Sequence, residues 1–401
     1  MRTRRGGGIC VLLSVIGVGL CLYLGFLHIA LLRGELFGGS VCGSTGGLLN
    51  CHAVTSGRWG SFAGLPLWVW GLIGYLAFLN LALLAWLFPD WATHALTLLT
   101  SLAVACVGID LLLLTTMVTQ VRLLCLFCLL TYLVNVLLLL TGKWALAAPW
   151  SRIAGGFGAA LRAFVPSTRR PLTWLFWGTL VTGAGGSVAL HAATTYVGIG
   201  TPGMLKNQIA QFVGKEARTP PDISGDPSLG PPDAPVRVVE FSDFLCPACQ
   251  KASKFNHVVL PNHRRDVRFV FKHFPLDTAC NDAINRMVHS GACVIAAASE
   301  CVQQQGKFWA FHDLVFERGH DYDQGRLRAD VQQLGVNMEP FDRCVASGEG
   351  MEAVRKDITE GKRLNVGSTP TFFINGLRMP GIMAPAVFEE LVGLLKAEKA
   401  S

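Results

Sequence analysis

Charge is what this 401-residue sequence is short of: Asp, Glu, Lys and Arg make up 15% of it against 51% apolar residues, and the mean hydropathy is +0.42. That balance excludes a disordered chain and an ordinary soluble enzyme, because the apolar surface exceeds what a water-facing fold can hide. Acidic residues are scarcest in the first half, where residues 1–200 hold 3 Asp/Glu against 11 Lys/Arg, while the second half is balanced at 24 against 23. The net charge of +7 therefore belongs to the first half. Its basic residues flank apolar runs instead of covering one face of a soluble fold, which argues against nucleic acid as a partner. Histidines such as His273, His289 and His312 are not grouped at metal-ligand spacing, so no metal site is expected.

What is present begins with five apolar stretches, 9–32, 62–88, 92–119, 123–141 and 172–196, each long enough to cross roughly 30 Å of hydrocarbon as a helix. The first follows Met1-Arg-Thr-Arg-Arg5 but is longer than a signal-peptide core and lacks an A-x-A site, so it reads as a permanent span. Arg2, Arg4 and Arg5 before span one, and Lys143, Arg152, Arg162, Arg169 and Arg170 between spans four and five, predict cytoplasmic segments. Residues 33–61, the 120–122 connection and everything after about 197 then face the opposite compartment. Span three carries Asp110, and a carboxylate in a span marks either a functional site or a bonded structural residue.

Residues 217–235 are crowded with Pro, Gly and Asp and read as a semi-extended tether. Beyond it, 236–242 alternates as a strand, a helix opens at Cys246, and 267–273 reads as a second strand. A helical stretch over 281–364, a strand over 371–376 ending in Asn-Gly, and a helix near 384–398 complete a thioredoxin-like pattern. The expected fold class is a membrane α-helical bundle of five spans, four of them forming the catalytic bundle, joined to an α/β thioredoxin-like domain with a helical insertion. The expected domains are 1–141 in the membrane, 142–200 as a cytoplasmic connection with the fifth span, 201–235 as a linker, and 236–401 as the thioredoxin-fold domain.

Thirteen cysteines are many for a reducing compartment. Cys246-Pro-Ala-Cys249 lies where a strand gives way to a helix, so both sulfurs fall within disulfide reach. The unpaired N–H groups of the helix start favour a thiolate at Cys246 and make it the nucleophile, with Cys249 resolving. The surrounding Phe241-Ser-Asp-Phe-Leu-Cys246 and Val366-Gly-Ser-Thr-Pro-Thr-Phe-Phe-Ile-Asn-Gly376 resemble the DsbA-like branch of the thioredoxin superfamily. That resemblance implies a cis Thr369-Pro370 bond against the disulfide, presenting backbone to a substrate chain. Pro-Ala stands between these cysteines where the most oxidising members of the branch have Pro-His.

Two further pairs lie in the first half. Cys125-Leu-Phe-Cys128 sits at the outer end of span four, and Cys42 and Cys51 bracket a glycine-rich stretch in the outer loop after span one. With Arg58-Trp-Gly60, Gly64-Leu-Pro66, Thr131-Tyr132 and Asn135, these four cysteines resemble the vitamin K epoxide reductase family over residues 9–141. The resemblance implies a four-helix bundle around a quinone of ubiquinone or menaquinone type, a loop pair that shuttles, Cys128 beside the quinone ring, and contacts from Tyr132 and Asn135. Gly57 occupies a position where the family usually carries a hydroxyl, which leaves Ser56 as the substitute contact. Cys10, Cys21 and Cys106 read as packed apolar residues. Cys280, Cys293, Cys301 and Cys344 suggest up to two structural disulfides, with three connectivities open.

These readings converge on a bacterial inner-membrane thiol oxidase, with its N-terminus cytoplasmic and its thioredoxin-like domain periplasmic. Its partners would be exported proteins with reduced cysteines, membrane lipid and quinone. Electrons would pass from substrate thiols through Cys246–Cys249, Cys42–Cys51 and Cys125–Cys128 to quinone. The alternatives are an electron-exporting reductase or isomerase, a non-catalytic redox sensor or tethered chaperone, and literal vitamin K epoxide reduction.

Overall fold

The computed structural model describes the chain apart from residues 37–47, 169–170, 200–201 and 401. It divides into two compact units, one ending near residue 201 and the other beginning at residue 202. The first contains helices α1 (Arg2–Leu32), α2 (Cys51–Ser56), α3 (Leu67–Leu87), α4 (Pro89–Thr116), α5 (Leu126–Leu146), α6 (Trp150–Ala163) and α7 (Pro171–Ile199). Helices α1, α3, α4 and α5 form a four-helix bundle, with α1 packed on α3 and α5, and α4 on α3 and α5.

Two glycines of α1 let α3 approach closely. A Cβ on Gly17 would lie 2.2 Å from the Tyr75 ring, and one on Gly25 would lie 2.9 Å from Trp68, so small residues are required where these helices meet. The outward faces stay apolar, with Leu12, Val15, Leu111 and Leu112 exposed, as expected of helices solvated by lipid.

Among the described residues, four helices are long and apolar enough to cross a membrane, not five. The segment expected as the fifth span is the 29-residue helix α7. Its threonines, glycines and His191 dilute the hydropathy that length alone would supply. The second span starts later than expected because residues 61–66 form a small hairpin, β1 (Ser61–Phe62) with β2 (Leu65–Pro66), turned through Ala63 and Gly64 at positive φ.

The second unit begins with α8 (Pro202–Lys215) and holds a five-stranded sheet in the order β3-β5-β4-β6-β7. The strands are β3 (Ser228–Leu229), β4 (Val236–Ser242), β5 (Val267–His273), β6 (Thr371–Ile374) and β7 (Leu377–Pro380). β4 and β5 run parallel, joined by α9 (Pro247–Val259), and the remaining pairs are antiparallel. Between β5 and β6 lies the helical insertion: α10 (Ala292–Gln303), α11 (Phe308–Arg318), α12 (Leu327–Gln333), α13 (Met338–Ser347) and α14 (Glu349–Arg363). A final helix, α15 (Pro385–Ala400), packs on α8.

The 201–235 stretch, expected to be a linker, is instead part of this unit. It contributes helix α8 and edge strand β3, which pairs with β5. Asp226 reaches Lys272 of β5 at 2.7 Å, and Thr219 N donates to the Gly376 carbonyl at 2.9 Å. Proline-rich composition signals extended backbone, but it does not reveal whether that backbone finds a sheet edge to pair with.

Candidate active site

Strand β4 is buried almost throughout and delivers the chain to Asp243, whose buried carboxylate organises the turn. Asp243 Oδ1 accepts from Leu245 N at 2.7 Å, while Oδ2 accepts from Leu276 N at 2.7 Å and meets His289 Nδ1 at 2.8 Å. The turn places Cys246 at the N-cap of α9 and Cys249 in its first turn, 6% and 0% exposed. The Thr369-Pro370 bond is cis, and the Cys246 thiol donates to the Thr369 carbonyl at 3.5 Å.

The two thiols are electrostatically unequal. A hydrogen bond from Cys249 is the largest influence lowering the Cys246 pKa to about 6; burial opposes it, and the Thr369 side chain and the N–H groups of Cys249 and Ala248 assist. Burial, reinforced by its bond to Cys246, pushes Cys249 well above the ordinary thiol range. One thiol is thus an anion near neutral pH and the other is held protonated. Glu240, fully buried on β4, also faces Cys249. Burial raises Glu240 to about 7, against hydrogen bonds from Ser242 and Asn256. The sequence reading missed Glu240, although an acidic residue in an otherwise apolar strand was a visible signal.

The insertion contains two disulfides, Cys280–Cys293 and Cys301–Cys344, with Cα separations of 6.0 and 5.7 Å. His273 bonds Glu300 and Ser299, His289 bonds Asp243, and His312 bonds Asp313. No cluster of metal ligands occurs among the described residues.

In the membrane unit, α4 continues as a π-helical turn over Met117–Val121, and Arg122 then adopts a left-handed conformation (φ 59°) that ends it. Cys125 consequently caps α5, its sulfur accepting from Cys128 N at 3.2 Å, and it forms a disulfide with Cys128. Both C-x-x-C pairs in the chain therefore begin a helix. Residues 48–50 run beside this turn: Leu124 N donates to the Leu48 carbonyl at 2.9 Å, and Asn50 N to the Leu124 carbonyl at 2.8 Å. The residue before Cys51 is thus tied to the residue before Cys125, and both cysteines are buried in one apolar cluster. Cys42, expected to pair with Cys51, lies outside the described residues.

Cys128 opens onto a cavity of ≈ 230 Å³ between α1, α3, α4 and α5. Tyr132 and Asn135 line it, with Tyr75, Trp68, Cys106 and Asp110. Its wall is overwhelmingly apolar, yet it contains two buried polar atoms with no partner among the described residues, Trp68 Nε1 and Asn135 Oδ1. An apolar slot with one unanswered donor and one unanswered acceptor fits a ring that bears oxygen substituents, the donor suiting a carbonyl or hydroxyl and the acceptor a hydroxyl. Thr55, not Ser56, is the hydroxyl residue of α2 in the wall; Ser56 Oγ is buried without a partner among the described residues. Of the cysteines expected merely to pack, Cys10 is buried, whereas Cys21 and Cys106 also border the cavity.

A thioredoxin fold with an activated C-x-x-C, and a membrane helix bundle with a second C-x-x-C beside an apolar cavity, are both arrangements suited to thiol–disulfide exchange. Residues 9–142 match the model of the vitamin K epoxide reductase family, and residues 223–397 match a thioredoxin model. The Na(+)/H(+) antiporter NhaA 3 of Salinispora tropica is 33% identical over 162 residues, 40% of this chain and 23% of that protein. The chain thus spans about a quarter of the length of the curated relatives it matches. Oxidised BdbD from Bacillus subtilis is similar at 27% identity over 45% of this chain and 98% of its own, with a TM-score of 0.38. The thiol-disulfide exchange protein α-DsbA2 from Wolbachia pipientis is similar at 18% identity over 48% and 97%, with a TM-score of 0.37.

Proposed function

We propose that the protein is a quinone-linked thiol oxidase that forms disulfides in exported proteins. A substrate thiolate attacks Cys246 of the Cys246–Cys249 disulfide and Cys249 departs, taking up a proton; a second thiolate of the substrate then attacks the substrate sulfur of this mixed disulfide, so that Cys246 departs as a stabilised anion and the substrate leaves with its own disulfide. The reduced pair is reoxidised by the Cys42–Cys51 pair, and that pair by Cys125–Cys128. Every exchange breaks one disulfide, forms another and moves two electrons. When bound, a quinone supplies the terminal acceptor for two electrons and two protons. Cys128, Tyr132 and Asn135 would hold its ring. The cavity's ≈ 230 Å³ is below the roughly 300–1,000 Å³ typical of sites enclosing a drug-sized ligand, which suits a ring whose tail remains in lipid.

The observation that carries this reading is Cys128 of a helix-capping C-x-x-C facing an apolar cavity, with Cys51 tethered beside it. The direction is supported by the low pKa of Cys246, since a stabilised thiolate favours the reduced form and makes its disulfide an oxidant. In membranes supplied with a reduced protein substrate, Cys128→Ala is expected to abolish quinone reduction. Undiminished turnover would remove the mechanism.

A further inference from the structure

Asp110 of α4 lies in the wall of the same cavity, and its Oδ2 accepts from Asn135 Nδ2 of α5 at 2.8 Å. A carboxylate only accepts hydrogen bonds, so it captures the amino end of the Asn135 amide and turns the carbonyl end the other way. That carbonyl oxygen, on a residue 8% exposed, is the one left without a partner among the described residues. A buried acceptor in this position is costly until a donor reaches it.

The two oxidation states of a quinone differ in this respect. The dione presents only acceptors, whereas its quinol presents hydroxyl groups that both donate and accept. Trp68 Nε1, the other unpartnered polar atom of the wall, can donate to an oxygen of either form. Asn135 Oδ1 can be satisfied only by the hydroxyl of the reduced form.

We infer that Asp110 is a positioning residue that fixes the Asn135 amide so that the cavity binds quinol more tightly than quinone. The inference rests on the quinone reading above. Preferential binding of the reduced form raises the potential of the bound couple: a tenfold preference corresponds to about 30 mV for a two-electron couple. The binding step itself then helps draw electrons off the last dithiol.

The test is equilibrium binding to the full chain in detergent under anaerobic conditions, in a Cys128→Ser background that keeps the size and polarity of this wall residue while no electrons move. The probes are a short-tailed 1,4-naphthoquinone and its separately prepared quinol, read by quenching of Trp59, Trp68 and Trp70, which line the cavity. The parent is expected to bind quinol about tenfold more tightly, the worth of one hydrogen bond. Asp110→Asn, which can hold the amide either way round, is expected to bring the ratio close to one, and Asp110→Glu to restore it. Asn135→Leu, which deletes the acceptor, is expected to lose the preference by an independent route. A parent that binds quinone as well as quinol, or variants that keep the parent ratio, would overturn the inference and leave the oxidase reading standing. Binding of neither form would remove both.

Discussion

Cys246 and Cys249 show how one helix terminus makes two identical side chains unlike. Cys246 receives hydrogen bonds that stabilise its anion, while Cys249 is wholly buried beside Glu240 and keeps its proton. With Cys246 at about 6, the thiolate fraction rises as pH passes upward through that value. Alkylation of the reduced pair is therefore expected to accelerate between about pH 5 and 7 and level off above, as read by the rate of iodoacetamide labelling. A rate still climbing steeply at pH 8 would contradict the assignment. Glu240 carries a second prediction. Its native value of about 7 lies above its unfolded value of 4.5, so its burial costs stability progressively as pH rises through that window and fully above it. Glu240→Gln is expected to raise the melting temperature of the reduced protein at pH 8 more than at pH 5, monitored by thermal unfolding at both.

Among the elements, α1 is defined by what it omits. Gly17 and Gly25 leave room for Tyr75 and Trp68, two side chains of the cavity wall, and Tyr75 Oη in turn donates to the Thr131 carbonyl of α5 at 3.0 Å. Gly17→Leu drives a side chain into the Tyr75 ring and is expected to destabilise the bundle by roughly 1–3 kcal/mol, the usual cost of overpacking. Thermal unfolding in detergent measures it, and an unchanged transition would show that α1 and α3 do not depend on this contact. In the helical insertion, Cys301–Cys344 closes a loop of 43 residues by tying α10 to α13. Replacing both cysteines by serine is expected to cost about 2–4 kcal/mol, read from denaturant unfolding, with the Cys246 labelling rate preserved.

At the scale of the whole chain, two C-x-x-C helix caps occur in one polypeptide with opposite surroundings: one on a water-facing α/β fold, the other at the mouth of a lipid-facing bundle. An oxidase working between them holds Cys246–Cys249 mainly oxidised in growing cells, and trapping with a maleimide after acid quench is the measurement. A mainly reduced pair would favour the electron-exporting alternative. Loss of that oxidised population in Cys51→Ala is the accompanying expectation, since the residue before Cys51 is bonded to the residue before Cys125.

Much of this was legible from residue order alone. Lipid-spanning helices announce themselves by length and apolarity, and a C-x-x-C after an alternating strand announces a helix-capped thiol. Asn135, Tyr132 and Cys128 share one face of α5 because they recur at helical spacing. Other features depended on contacts between segments remote in sequence. Strand β3 exists because β5 offers it an open edge, and Glu240 matters because burial beside Cys249 raises its cost of ionisation. Asp110 gains its meaning from an amide 25 positions away. Local spacing sets which atoms can meet within a turn of helix, whereas burial, dielectric and the partner of a buried acceptor are properties of packing, and these exist only once the chain has folded.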